Sequence, residues 1–220
     1  KQKALNSKSQ KWGRKLALTC VRIMLVAVVG IGICGVAAGI GVFRGILSST
    51  PTIRLSDVVA VGEATIVYDS EGNEIDQYVS TNSNRLSVDM DEIPDYMGKA
   101  FVAIEDERFY QHNGIDVKGI LRAGYQFIKT GGEEAQGAST ITQQLLKNTV
   151  FTDWTSEGDN KIKKIKRKIQ EQYLALEITK YYSKDEILLR YMNAINLGQN
   201  TLGVESASLR YFGKHCSDLT

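Results

Sequence analysis

Two glutamates and a group of cations set out the chemistry available to this 220-residue chain. Glu105 lies in Ala103-Ile-Glu-Asp-Glu-Arg-Phe-Tyr-Gln-His-Asn-Gly114, at the end of an apolar helical run, with Phe101 and Phe109 at i−4 and i+4. Partial burial between such neighbours would suit a carboxylate to proton transfer, although a solvated acidic helix end is the plainer reading. His112 precedes Gly114 in a loop and is expected to order the turn through hydrogen bonds rather than to carry a proton.

Glu171 follows Lys161-Ile-Lys-Lys-Ile-Lys-Arg-Lys-Ile-Gln, six bases within eight residues. Such a run is usually a solvated face. Here Arg167 and Lys168 stand at i−4 and i−3 from Glu171, so its carboxylate has cations beside it while the bases can still meet phosphate oxygens. Between the two glutamates, Gly137-Ala-Ser-Thr-Ile-Thr-Gln-Gln-Leu-Leu-Lys-Asn148 puts a glycine ahead of a Ser/Thr cap. Backbone N–H groups and hydroxyls at a helix start suit an anion such as a diphosphate. Gln143, Gln144 and Lys147 add donors and one cation, but an ordinary capped helix with a polar outer face would look the same.

The elements that must carry these residues are mostly helices. Ala64 to Tyr68, the turn Asp69-Ser-Glu-Gly-Asn73 and Ile75 to Val79 read as a short hairpin, with a further strand expected at Arg85 to Val88. After Pro94 the apolar period becomes helical. Met97, Ala100, Phe101 and Ile104 mark a first helix from Asp95, and Asp116 can cap a second that runs through Ile120, Leu121 and Phe127 to a stop at Gly131-Gly132. Thr140 with Gln143 offers a capping box for a third. Ile162, Ile165, Ile169 and Leu176 lie on one face of a fourth, and Ser183-Lys-Asp-Glu186 opens a fifth. No internal repeat and no Gly-rich nucleotide loop is present.

Charge is spread unevenly. The chain has 27 Lys+Arg and 25 Asp+Glu; seven of the bases and none of the acids fall in Lys1 to Arg22, leaving 20 bases against 25 acids beyond. A net-acidic body argues against nucleic acid as a partner. With 43% hydrophobic residues and two prolines, the composition is neither disordered nor collagen-like. Ile23 to Phe43 is a 21-residue stretch without charge, long enough as a helix to span a bilayer core. It is longer than a signal-peptide core and lacks a clean cleavage site, so it reads as an uncleaved anchor. The basic cluster ahead of it places the N-terminus in the cytoplasm and the body outside. The expected organisation is a basic tail over 1–15, a transmembrane helix over 16–43, a linker over 44–63 and a catalytic body over 64–220. Cys20, Cys34 and Cys216 form no disulfide or zinc pattern. Starting at Lys1 and stopping at Thr220, the chain is expected to be a fragment.

Several motifs then fall in one order and spacing: Glu105-Asp106-x-x-Phe109-x-x-His112-x-Gly114, Gly137-x-Ser-Thr-x-Thr-Gln-Gln144, Arg167-Lys-x-x-Glu171, Tyr182-Ser-Lys184 through Tyr191-Met-Asn193, and Gly203-x-Glu205 to Tyr211-Phe-Gly-Lys214. The arrangement resembles the peptidoglycan glycosyltransferase domain of class A penicillin-binding proteins and monofunctional transglycosylases. The resemblance implies a mainly α, lysozyme-like fold with a small N-terminal β element, preceded by one transmembrane helix in the bacterial plasma membrane. It also implies polymerisation of lipid II into β-1,4 glycan strands, with inversion at the donor sugar and release of undecaprenyl diphosphate. Glu105 would be the general base on the acceptor 4-hydroxyl, and Glu171 would assist departure of the diphosphate. Ser139, Gln143, Gln144, Lys147, Arg167 and Lys168 match positions lining the donor and diphosphate sites. Asp106, Phe109, Thr142 and Glu205 fall in the same motifs and join the expected substrate-binding set. No cofactor is obligatory on this reading, although Mg or Mn could accompany the diphosphate. The implied partners are lipid II, the nascent glycan strand, the lipid bilayer and cell-wall assembly proteins. An apolar, membrane-dipping part is expected between the hairpin and the second helix. Two rivals are a lytic muramidase, which gives no reason for Arg167 and Lys168, and a non-catalytic cell-wall scaffold, which leaves both glutamates idle.

Overall fold

The computed structural model describes residues 2–60, 62–79, 84–131, 137–152 and 160–220, in two units that divide after Thr50. The first unit is one helix, α1, Gln2–Ser48. At 47 residues it is about 70 Å long. Its large apolar side chains, among them Val26, Ile31 and Val42, are exposed around the whole circumference. An added Cβ at Gly30, Gly32, Gly35, Gly39 or Gly41 would touch nothing. The stretch Ile23 to Phe43, apolar all round and exposed, calls for an apolar solvent, and α1 is long enough to cross a membrane.

After a short 3-10 turn, Leu55–Val58, the second unit forms a two-stranded antiparallel hairpin, β1 (Thr65–Tyr68) and β2 (Glu74–Tyr78), paired Thr65 to Tyr78 and Val67 to Asp76 with a bulge before Tyr68. The turn holds because the Asp69 carboxylate accepts the Glu71 and Asn73 amides at 2.8 and 2.9 Å. Gly72 takes the positive φ (86°) that a side chain would resist. The strand expected at Arg85 to Val88 is instead extended chain that makes a single parallel bridge, Arg85 to Leu202. Helix side chains satisfy it. The Val88 amide donates to Asn193 Oδ1 (3.1 Å), Asn193 Nδ2 donates back to the Val88 carbonyl (2.9 Å), and the Leu86 amide donates to Ser206 Oγ (2.9 Å).

Among the described residues six α-helices follow: α2 (Asp95–Glu105), α3 (Val117–Lys129), α4 (Ile141–Thr149), α5 (Lys161–Ile178), α6 (Lys184–Ala194) and α7 (Val204–Phe212). Both expected capping boxes form. Thr140 Oγ1 accepts the Gln143 amide while Gln143 Oε1 accepts that of Thr140, and Ser183 and Glu186 do the same for α6. Asp116 occupies the N-cap of α3, but its carboxylate is turned to Arg108 instead of capping the helix. Gly131, at positive φ, ends the turn after α3; Gly132 lies outside the described residues.

The core gathers around α4, which packs against both α5 and α6. Ile141, Leu145 and Leu146 from α4 meet Leu174, Ala175 and Ile178 from α5 and Ile187, Tyr191 and Met192 from α6, with Phe109 sealed among them. Two apolar stripes stay outside it. On α3, Leu121 and Ile128 are 69% and 82% exposed, and only Gly119 is buried. Among the described residues, the apolar exposure expected between the hairpin and this helix is scattered over Val79, Met90, Tyr96, Ile104 and Tyr110, and it continues along α3 itself. On α5 the Ile162, Ile165 and Leu176 face is the outward one, and the buried face carries Gln170, Glu171, Leu174, Ala175 and Ile178.

Candidate active site

Glu105 ends α2 and is exposed, while Phe109 turns inward, so the partial burial expected of the carboxylate does not occur. What holds Glu105 is α4. Gln144 Nε2 donates to Glu105 Oε2 at 2.8 Å, and Tyr191 Oη donates to Gln144 Oε1 at 3.2 Å. Those two bonds also fix which end of the Gln144 amide faces the carboxylate. Tyr191 was not among the expected site residues, although it stands in a motif. Its burial, then the nearby Glu105 charge, pushes the phenol well above its ordinary range, so it stays a proton-bearing donor. Its ring is held edge-on to Phe101 with centroids 5.7 Å apart.

One residue earlier on α4, Gln143 faces the other way. Residues i and i+1 are about 100° apart on a helix, so neighbouring glutamines serve different walls. Gln143 Oε1 accepts from the Thr140 amide and from Lys168 Nζ (3.4 Å). Lys168 Nζ also donates to Ser139 Oγ (2.7 Å) and to Glu171 Oε2 (3.1 Å). Glu171 is 1% exposed and its other oxygen accepts from Arg167 Nη1. The i−4 and i−3 spacing therefore does what helix geometry implies, clasping a buried carboxylate between two cations. Lys147 completes the group. Its own burial, and next the Arg167 charge, lower its ammonium below the usual lysine range, with Glu171 opposing and Lys168 adding to the effect. Among the described residues, Glu171 is the carboxylate that faces these cations. Gln143 Nε2 and Thr142 Oγ1 are buried without a partner among the described residues.

The Asp106–His112 pair braces this arrangement from below. Buried Asp106 accepts from His112 Nε2 (2.9 Å) and from the Ile141 amide (3.0 Å), tying the end of α2 to the start of α4. The Gly114 amide donates to His112 Nδ1 (3.2 Å), so Nε2 carries the proton given to Asp106. His112 thus orders the turn, as expected. Phe109 is also structural, with the Lys184 ammonium 4.3 Å from its ring centre. Glu205 is not brought to the cluster at all. Its buried carboxylate accepts from the Cys216 amide (2.9 Å) and from His215 Nδ1 (2.5 Å), pinning the C-terminal segment to α7.

A polar cleft of about 370 Å³ opens beside Glu105, with Arg108, Asp116, Arg122, Ser139 and Thr140 in its walls. A larger cavity of about 500 Å³, lined by Gly98, Val102, Leu188 and Met192, contains neither Glu105 nor any residue of the cationic group. The smaller one holds Glu105 and Ser139, while Lys147, Arg167, Lys168 and Glu171 lie outside the walls of both.

A helical body opening on a small hairpin, with its motif residues brought together by α2, α4 and α5, is the architecture of a transglycosylase domain. The chain belongs to the transglycosylase family, whose profile matches residues 71–220. It is 40% identical over 223 residues to penicillin-binding protein 1A of Clostridium perfringens, an alignment covering all of this chain and 25% of that protein. It is 43% identical over 186 residues to penicillin-binding protein 1A of Clostridium acetobutylicum, covering 83% of this chain and 22% of that one. With penicillin-binding protein 1A of Escherichia coli the identity is 37% over 200 residues, covering 91% and 22%. The chain spans about a quarter of the length of these relatives.

Proposed function

We propose that the second unit is a peptidoglycan glycosyltransferase that joins lipid II units into a β-1,4 glycan. The observation that carries this reading is the contrast between the two glutamates. Glu105 is exposed on a polar cleft and held by one amide, whereas Glu171 is buried and clasped by Arg167 and Lys168. An exposed carboxylate can accept a proton from an incoming hydroxyl. A carboxylate already clasped by cations instead holds those cations in place for another anion.

The step balances with these groups alone. The acceptor 4-hydroxyl oxygen attacks C1 of the donor sugar, its proton passes to Glu105, and the C1–O bond to phosphate breaks with its electron pair leaving on the diphosphate. One displacement inverts the anomeric centre and needs no protein nucleophile. The leaving diphosphate meets Lys147, Arg167, Lys168 and Ser139, and the unpartnered Gln143 Nε2 supplies a donor to one of its oxygens. Mg or Mn fits this site poorly as a protein-held ion. No group of three or more His, Cys, Asp or Glu converges among the described residues, and both Glu171 oxygens face cations. Such an ion would come with the diphosphate.

On the same reading α1 anchors the chain in the plasma membrane with its N-terminus inside, and the apolar face of α3 meets the outer surface of the bilayer, where a lipid-linked substrate is found. The test is incubation of the detergent-solubilised chain with labelled lipid II and separation of the products by gel. Glycan ladders are expected, and Glu105→Gln should slow their growth by at least about 100-fold. Ladders undiminished in a folded Glu105→Gln protein would remove Glu105 as the base.

A further inference from the structure

The lysine run that precedes Glu171 divides in the structure. Arg167 and Lys168 turn to Glu171, but Lys161, Lys163 and Lys166 are exposed and make no bond to it among the described residues. Lys161, Lys163 and Lys166 form no ion pair among the described residues. Helix stability does not account for them. They occupy the first turns of α5, which hold no acid, and cations at a helix start oppose the macrodipole.

Beside them runs an apolar stripe that is mostly exposed among the described residues. Ile162, Ile165, Ile169, Tyr173 and Leu176 follow one another at i, i+3, i+7, i+11 and i+14, which keeps them on one side of α5. Ile162 is 79% exposed, Ile165 60% and Leu176 41%. Lys161 is one turn before Ile165 and Lys166 one turn after Ile162, so these two lysines flank the apolar row, with Lys163 further round the helix. A helix face of this kind, apolar along its centre with lysines at its margin, matches the boundary between acyl chains and anionic headgroups.

We infer that the outward face of α5 is a second bilayer contact, separate from α3, on which Ile162 and Ile165 enter the headgroup boundary while Lys161, Lys163 and Lys166 bind the phosphates of anionic phospholipids. This rests on the reading that the second unit works at a membrane surface to which α1 tethers it. A covalent tether raises the local concentration of lipid around a weak contact, so a short stripe and three lysines suffice. The contact would also set the cationic mouth of the cradle, two residues further along the same helix, at headgroup level, the depth of a lipid diphosphate.

The test places an environment-sensitive fluorophore on Ile162→Cys in the full chain carrying Cys20→Ser and Cys34→Ser. The protein is reconstituted into vesicles of phosphatidylcholine alone or with about one third phosphatidylglycerol, doped with a nitroxide lipid quencher. Quenching is expected to be about threefold greater with phosphatidylglycerol, to fall to the phosphatidylcholine level in Lys161→Gln/Lys163→Gln/Lys166→Gln, and to weaken in about 0.5 M NaCl. The same probe on Glu71→Cys, in the exposed hairpin turn, should stay unquenched. Quenching at 162 no greater than at 71, or unaffected by headgroup and by the lysine substitutions, would overturn the proposal. So would a shielded probe that lipid nitroxides do not reach, which would mean that protein covers the stripe. Glycan ladders in detergent are read separately. The triple variant should keep them, and their absence from the parent chain would count against catalysis without touching the lipid contact.

Discussion

At Glu171 the carboxylate and its cations depend on one another. Removing its charge would leave Arg167, Lys168 and Lys147 facing each other around a mostly buried centre, and a buried charge that loses its partner costs about 3–5 kcal/mol. Glu171→Gln is therefore expected to lose stability as well as activity, which makes an activity assay alone ambiguous. An added anion separates the two effects. Inorganic pyrophosphate should raise the thermal midpoint of Glu171→Gln more than that of the parent chain, because it restores the missing negative charge among the three cations. Equal shifts in the two proteins would mean that these cations are not arranged around a diphosphate. Much of this cluster was legible in the sequence because it is local: Arg167, Lys168 and Glu171 lie within one helical turn, as do Thr140 and Gln143. The bonds that join the cluster were not. Gln144 reaches Glu105 across 39 residues and Lys168 reaches Ser139 across 29, separations set by how α2, α4 and α5 pack. Glu205 shows the opposite failure. A motif acid expected at the substrate is held by His215 and Cys216, and only the course of the chain after α7 decides that.

Between elements, Gly114 lies close against α5. Its φ is +90°, and a Cβ there would stand 2.4 Å from the Ala175 carbonyl oxygen. The Thr140 hydroxyl donates to the Gly114 carbonyl at 2.7 Å, so this one residue joins the α2–α3 loop to both α4 and α5. Gly114→Ala combines an unfavourable backbone with a clash against main chain and should cost about 3 kcal/mol, read as a lower denaturation midpoint at unchanged slope. Gly124→Ala on α3, where a Cβ would touch nothing, should leave the midpoint unchanged or raise it slightly. The α7–C-terminal joint gives a dependence on pH. The hydrogen bond and charge of Glu205 raise the His215 pKa above its ordinary value of 6.5. Burial would push the Glu205 carboxyl up, but the Cys216 amide and thiol and then His215 bring it below its ordinary 4.5. The histidine contribution is complete below its unfolded pKa and is lost as pH rises through the folded one; the glutamate contribution is complete above its unfolded pKa and is lost as pH falls through the folded one. The joint should hold best between those two ordinary values, and His215→Asn should flatten the loss of stability on the alkaline side, measured by denaturant unfolding across pH. A chain with the same slope in both forms would show that His215 does not titrate against Glu205. The apolar period of α5 was visible in the sequence, but its direction was not, because a period names a face without saying whether the core or the solvent side receives it.

For the whole molecule the decisive asymmetry is the charge on either side of the apolar stretch of α1. A 47-residue helix is more than twice the thickness of a hydrocarbon core of about 30 Å, so its length alone does not say which part is immersed. The charges do, since Arg22 and Arg44 bound the 21 uncharged residues. Seven bases precede that stretch without an acid, whereas the chain beyond it is net acidic, and basic flanks remain on the cytoplasmic side. The expected topology can be read by thiol labelling in intact bacterial cells. Cys20 and Cys34 are exposed on α1 and are replaced by serine; Cys216 can remain, because it is buried and its thiol is pushed up to about 12, chiefly by burial and then by Glu205. In that background a membrane-impermeant maleimide should label Glu71→Cys in intact cells and Asn6→Cys only after permeabilisation. The reverse pattern would put Glu105 and the cationic cradle in the cytoplasm, on the wrong side of the membrane for building a wall. Labelling of both without permeabilisation would mean that α1 does not span the membrane.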